Sequence, residues 1–176
     1  FKQKIAMSIM KMCGWKVIKE TELPEKCVIC VAPHTSNWDF FYGVVGYAAL
    51  GGTSKQFMIK KDWFFFPLNY FFKALGGIPI DRSKRVSTVD QLVEACNKTD
   101  HFHLGITPEG TRSANPNWKR GFYYIAKNAN IPIAIIYLDY KKKEGCLKAI
   151  FTPTDNADAD IAAIKAFYKD VNAKYP

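Results

Sequence analysis

Cys27-Val28-Ile29-Cys30-Val31-Ala32-Pro33-His34-Thr35-Ser36-Asn37-Trp38-Asp39 sets six apolar residues in a row, closes them with a proline, and turns through polar residues into Phe40-Phe41-Tyr42. The run reads as a strand, and Pro33, which lacks an amide donor, marks its end. A helix over about 38–50 follows. The same order repeats along the chain. Strand-like runs fall at 27–32, 56–60, 77–80, 102–106, 132–138 and 146–151, and helix-like runs at about 38–50, 64–75, 86–98, 119–129 and 158–173. Strands alternating with helices predict an α/β fold, a single-domain, mixed, largely parallel sheet flanked by helices. The mixed character comes from 141–145, which can turn between two antiparallel neighbours. Residues 2–13 predict an N-terminal amphipathic helix, with Ile5, Ile9, Met12 and Cys13 on one face and Lys2, Lys4 and Lys11 off it. That face either packs on the domain or lies on a bilayer surface.

A length of 176 residues suits one domain, and 48% hydrophobic with 23% charged residues is ordinary for a globular chain. Aromatic residues make up 15% and the net charge is +9, which favours an anionic partner such as nucleic acid, a phosphorylated substrate or an anionic membrane surface. Cys27 and Cys30 form a C-x-x-C, but three steps along a strand put the two side chains on opposite faces, so they read as buried, reduced cysteines rather than a metal or redox pair. No stretch approaches the roughly 20 apolar residues of a spanning helix. The chain begins at Phe1, and an anchor further upstream stays open.

Three polar blocks each follow a strand-like run: Pro33-His34-Thr35-Ser36-Asn37-Trp38-Asp39, Gly77-Ile78-Pro79-Ile80-Asp81-Arg82 and Thr107-Pro108-Glu109-Gly110-Thr111-Arg112-Ser113. Ligands of α/β sheets sit outside the carboxyl ends of strands, where these blocks would meet. On one ideal helix His34 and Asp39 would lie about 140° apart, out of reach. If His34 lies in the turn before the helix, its ring can bend back to Asp39, with Ser36 as N-cap and Asp39 in the capping-box position. Taken alone, the pair fits a loop histidine and a helix-dipole charge better than a catalytic pair. As a pair in contact, Asp39 would orient the imidazole while the other ring nitrogen takes a proton from a substrate hydroxyl. Gly110 permits a tight backbone path that can expose amides to an anion. Arg112 and Arg82 offer planar forks suited to phosphate. Glu109 can accept from a hydroxyl or hold Arg112, and Asp81 can pair with Arg82 or a nearby lysine.

In this order and at these separations, the blocks resemble the glycerolipid acyltransferase family, marked by H-x4-D, a G-x-I-x-I-D-R-like block and P-E-G-T-R-S. The resemblance covers about 27–138 and includes Ile131-Pro132-Ile133, which looks like that family's V-P-I block; Lys60 and Lys61 resemble its upstream basic pair. Pro33, Thr107 and the segment after Pro132 depart from the usual residues. The resemblance implies one acyltransferase domain over 1–176, with an N-terminal helix within 1–14. It implies transfer of a fatty acyl group from an acyl-CoA or acyl-carrier-protein thioester to a lysophospholipid hydroxyl, as in 1-acylglycerol-3-phosphate, in phospholipid biosynthesis. Catalysis would fall to His34 and Asp39, and substrate binding to Glu109, Gly110, Thr111, Arg112, Arg82 and Lys61. It implies no cofactor beyond the thioester co-substrate, no metal, no nucleic acid, and a peripheral place at the cytoplasmic face of the cell membrane.

Trp63-Phe64-Phe65-Phe66-Pro67-Leu68-Asn69-Tyr70-Phe71-Phe72 is too short to span a bilayer and apolar nearly all round, so it is either core or membrane-facing. Phe40, Phe41 and Tyr42 could line an apolar channel with it. His101 and His103 share a strand face but have no carboxylate or cysteine at supporting spacing. Two rivals remain beside the lysophospholipid reading. One keeps the mechanism with a non-phosphorylated or amine acceptor; the other is a non-catalytic basic nucleic-acid binder, against which stand scattered basic residues and the lack of a recognised module.

Overall fold

A computed structural model describes residues 2–63, 65–74, 76–81, 87–111 and 115–175. Among these, seven strands form one sheet: β1 (Lys16–Lys19), β2 (Lys26–Val31), β3 (Lys55–Lys60), β4 (Gly77–Ile80), β5 (Phe102–Ile106), β6 (Ile133–Asp139) and β7 (Glu144–Phe151). Their spatial order is β1-β7-β6-β2-β5-β3-β4. Every pairing is parallel except β6 with β7, where a turn at 140–143, overlapping the expected 141–145, reverses the chain and Glu144 and Gly145 already belong to β7. The expected mixed, largely parallel sheet is therefore what forms. The strand absent from the sequence expectation is β1, four residues at the sheet edge with only Val17 and Ile18 apolar, too short to show a period.

Among the described residues six α-helices accompany the sheet: α1 (Lys2–Met12), α2 (Trp38–Ala49), α3 (Leu68–Ala74), α4 (Thr88–Asn97), α5 (Gly121–Asn128) and α6 (Ala157–Ala166). β2 is covered on both sides, as a central parallel strand must be. On one face Val28 and Cys30 pack with Leu104, Ile133 and Ile135 under Leu92 of α4, Phe122 of α5 and Ile164 of α6. On the other, Cys27 and Ile29 pack with Ala134 and Ile136 under Tyr47 of α2. Cys27 and Cys30 thus lie on opposite faces, as the odd spacing requires, and burial pushes both thiols up to about 12.

Three helix expectations are corrected. Pro67 interrupts the predicted 64–75 helix: a 3-10 turn covers Lys61–Trp63, and the α-helix begins only at Leu68. α6 stops at Ala166 instead of reaching 173, because Tyr168 and Asn172 are drawn into bonds elsewhere: the Tyr168 hydroxyl donates to the Cys30 carbonyl at 2.7 Å, and Asn172 Nδ2 donates to Asp139 at 2.9 Å. α1 packs on α2 through Ala6 and Met10, with Gln3 Nε2 donating to the Ala49 carbonyl, rather than through Ile5, Ile9 and Met12. Ile5, Met7 and Met12 are left exposed. Among the described residues, no helix is long and apolar enough to cross a membrane.

Candidate active site

β2 delivers the central group. After Val31 the chain passes through a cis Ala32–Pro33 peptide into His34, then enters α2, whose second residue is Asp39. Asp39 is buried and His34 partly exposed. Oδ2 of Asp39 meets Nδ1 of His34 at 3.1 Å and accepts the Thr35 and Ser36 amides, each at 2.8 Å. A carboxylate only accepts, so the bond to Asp39 places a hydrogen on Nδ1 and leaves Nε2 as the ring acceptor. The capping expectation is half met. Asp39 does reach back to the Ser36 amide and Ser36 Oγ accepts the Trp38 amide at 3.2 Å, but the N-cap position belongs to Asn37, whose side chain makes no cap bond. His34 lies in the turn, not on the helix, which is why the five-residue separation still brings the two side chains together.

β5 runs beside β2 in parallel register, Cys30 opposite Ile106, so the chain leaves both strands at the same end. The 107–111 turn there carries Glu109, whose Oε2 accepts the His34 backbone amide at 2.7 Å. Glu109 is buried, and burial raises its carboxyl pKa against the lowering effect of that hydrogen bond. Gly110 closes the turn with φ of +65°, a region that disfavours any side chain, and its amide donates to the Thr107 carbonyl at 3.2 Å. Lys119 N–H to the Pro108 carbonyl, at 2.8 Å, and Asn115 Nδ2 to the Glu109 carbonyl, at 3.2 Å, pin it further. Thr111 is exposed in the following bend. Arg112 and Arg82 lie outside the described residues.

Lys61 and Asp81 leave β3 and β4 at this same end, paired at 3.0 Å. β4 is three strands from β2, roughly 14 Å at the usual spacing, so this pair stands apart from the His34 ring. Of the two partners expected for Asp81, the nearby lysine is Lys61, and Arg82 lies outside the described residues. His103 is buried in a chain of its own: the Ser54 amide donates to the Tyr47 hydroxyl at 3.0 Å, the hydroxyl donates to Nδ1 at 2.6 Å, and Nε2–H donates to the Pro24 carbonyl at 2.6 Å.

Two site features escaped the sequence. The Glu109 carboxylate bonds the His34 amide, and the Tyr140 hydroxyl donates to Asp39 Oδ1 at 2.5 Å. Tyr140 immediately follows β6, the other neighbour of β2. Its only signal in the sequence was a position just past a strand-like run, and which strands are neighbours is not written there. Two cavities flank the His34 turn. One of about 270 Å³ on the Glu109 side is lined by Pro33, Glu109, Trp118, Tyr168, Lys165 and Lys169. The other, about 360 Å³ on the Tyr140 side, is lined by Trp15, Trp38, Tyr42, Tyr140, Lys143 and Lys174.

The arrangement is a partly exposed imidazole oriented by a buried carboxylate, whose Nε2 has no hydrogen-bond partner among the described residues, suited to taking a proton from a hydroxyl. The profile of the acyltransferase family matches residues 14–138. Among solved structures, the crystal structure of the 1-acyl-sn-glycerophosphate (LPA) acyltransferase PlsC from Thermotoga maritima is similar, with a TM-score of 0.61 and 14% identity over 97% of this chain and 80% of that one. The comparison with curated proteins gave no match.

Proposed function

Since the chain belongs to the acyltransferase family and is an enzyme that transfers acyl groups, we propose that it moves a fatty acyl group from an acyl-CoA or acyl-carrier-protein thioester to the hydroxyl of a lysophospholipid such as 1-acylglycerol-3-phosphate. The observation that carries this reading is the 3.1 Å contact between His34 Nδ1 and buried Asp39, which leaves Nε2 as the base. Nε2 takes the acceptor's hydroxyl proton as the oxygen attacks the thioester carbonyl carbon. The new C–O bond forms, the C–S bond breaks, and the departing sulfur takes the proton back from the imidazolium. Asp39 stabilises that imidazolium. Side chains carry every proton, so the reaction calls for no cofactor besides the thioester. Arg112, Arg82 and Lys61, with the Thr111 backbone, are assigned to the acceptor phosphate, and Gly110, whose amide is taken by the Thr107 carbonyl, to the turn that carries Thr111.

The lipid acceptor also requires a surface to work on. Phe66 and Tyr70, 78% and 67% exposed, and Phe65 and Phe71 project from the α3 region, while Trp38, Phe40 and Phe41 are exposed on the first turn of α2 beside Asp39. Outward aromatics of this kind, with a net charge of +9, suit a peripheral protein at an anionic membrane face, here the cytoplasmic one.

The deciding assay follows thiol release from acyl-CoA and acyl-carrier protein with a panel of lysophospholipids. His34→Ala should abolish transfer in a folded protein. Asp39→Asn should lower kcat by roughly 10²–10⁴-fold, within the range of general-base assistance. Wild-type turnover in folded His34→Ala ends the proposal.

A further inference from the structure

Among the described residues, four hydrogen-bond donors meet the Asp39 carboxylate, and they are unevenly shared. His34 Nδ1 and the Thr35 and Ser36 amides all point at Oδ2; the Tyr140 hydroxyl alone, among the described residues, points at Oδ1. With the donors of Oδ2 alone, the carboxylate could turn about its Cβ–Cγ bond and offer the two amides either oxygen. A donor on Oδ1 removes that freedom.

The hydroxyl is itself held firmly. The Tyr140 amide donates to the Asn172 carbonyl at 2.9 Å. Its ring packs edge-on against Trp15, centroids 5.0 Å apart, and against Tyr42 at 6.2 Å. The preceding residue, Asp139, is buried and accepts the Lys142 amide and the Asn172 side chain, each at 2.9 Å. Burial and the adjacent Asp39 raise the phenol's pKa, so it stays a donor. Tyr140 also lies beyond the 14–138 segment that matches the family profile.

We propose that Tyr140 is a positioning residue for acyl transfer: its hydroxyl fixes the rotation of the Asp39 carboxylate so that Oδ2 stays on the Nδ1–H of His34. This rests on the His34–Asp39 base of the proposed function. Among the described residues, the other titratable groups facing the dyad are Glu109 on the His34 side and Lys143 and Lys174 in the cavity beside Tyr140.

The test is Tyr140→Phe in the full chain, with Tyr42→Phe as a control that removes a hydroxyl from the same aromatic group. In Tyr140→Phe, kcat should fall roughly tenfold, the cost of one hydrogen bond to a charged group. KM for both substrates should hold. The acidic limb of the kcat–pH profile should move to higher pH, because a carboxylate without its outer donor concentrates more negative charge on the imidazolium. NMR of the free protein should show the His34 ring titrating at higher pH in the same variant. Tyr42→Phe should leave all of these in place. Superimposable pH profiles and His34 titrations for wild type and Tyr140→Phe overturn the assignment. So does a loss of kcat that tracks a fall in Tm with the limb unmoved, which marks a packing role. The NMR titration needs no substrate, so a wrong acceptor or a failed transfer assay strikes the proposed function and leaves this result readable.

Discussion

Glu109 holds the backbone of the residue it serves: its carboxylate accepts the His34 amide at 2.7 Å from within a buried position. What the amide needs there is an acceptor oxygen, which a neutral amide side chain also supplies. Glu109→Gln keeps a carbonyl oxygen for the amide, whereas Glu109→Ala leaves it unmatched. Urea unfolding should show Gln near wild type and Ala lower by about 1–3 kcal/mol; equal stability for the two variants would contradict this role. His103 makes a second test at this scale. Its pKa is lowered from 6.5, first by burial, with His101 adding to the effect and the Pro24 carbonyl opposing it. In the neutral ring Nδ1 accepts from Tyr47, and a proton there meets the tyrosine donor. The unfolded chain therefore binds this proton more readily than the folded one. The stability His103 contributes is full above 6.5 and is lost as pH falls through the depressed folded value. Thermal melts between neutral and mildly acid pH should show a decline that His103→Gln reduces. A variant declining as steeply as wild type would place the acid sensitivity elsewhere.

Among the elements, α4 is the one whose start is written most plainly. Ser87 is extended at φ −63° and ψ 155°, its Oγ accepts the Asp90 amide at 3.1 Å, and its hydroxyl donates to the Asp90 carboxylate at 2.7 Å. Ser87→Ala should cost about 1 kcal/mol, read as a shifted urea midpoint with unchanged slope; no shift would mean the cap is dispensable. α1 shows the limit of reading an element alone. Its apolar residues occupy more than one stripe, and the seam is chosen by what α2 offers. A small Ala49 and an accepting carbonyl draw in Ala6, Met10 and Gln3, leaving Ile5 and Met12 outside. The aromatic run around α3 has no buried residue within Leu68–Ala74, so those residues do not belong to the core.

At the scale of the whole molecule, the outward aromatics and the +9 charge predict a salt-sensitive surface binder. The protein should co-sediment with anionic vesicles more than with neutral ones, and added salt should weaken this. Phe66→Ser with Phe71→Ser should reduce binding at every salt concentration without lowering Tm, since both rings are exposed. No binding to anionic vesicles at low salt would sink the membrane reading. The sheet's parallel character was legible because alternating apolar runs and helical spacings are local and repeat along the chain. The Cys27/Cys30 split and the meeting of His34 with Asp39 follow from short spacings in the same way. Strand order is not local: β6 and β5 flank β2 although more than seventy residues separate Ile29 from both Gly105 and Ala134. That order alone puts Tyr140 on Asp39 and Glu109 on the His34 amide, because parallel neighbours release their chains at one end of the sheet, within hydrogen-bond reach of each other.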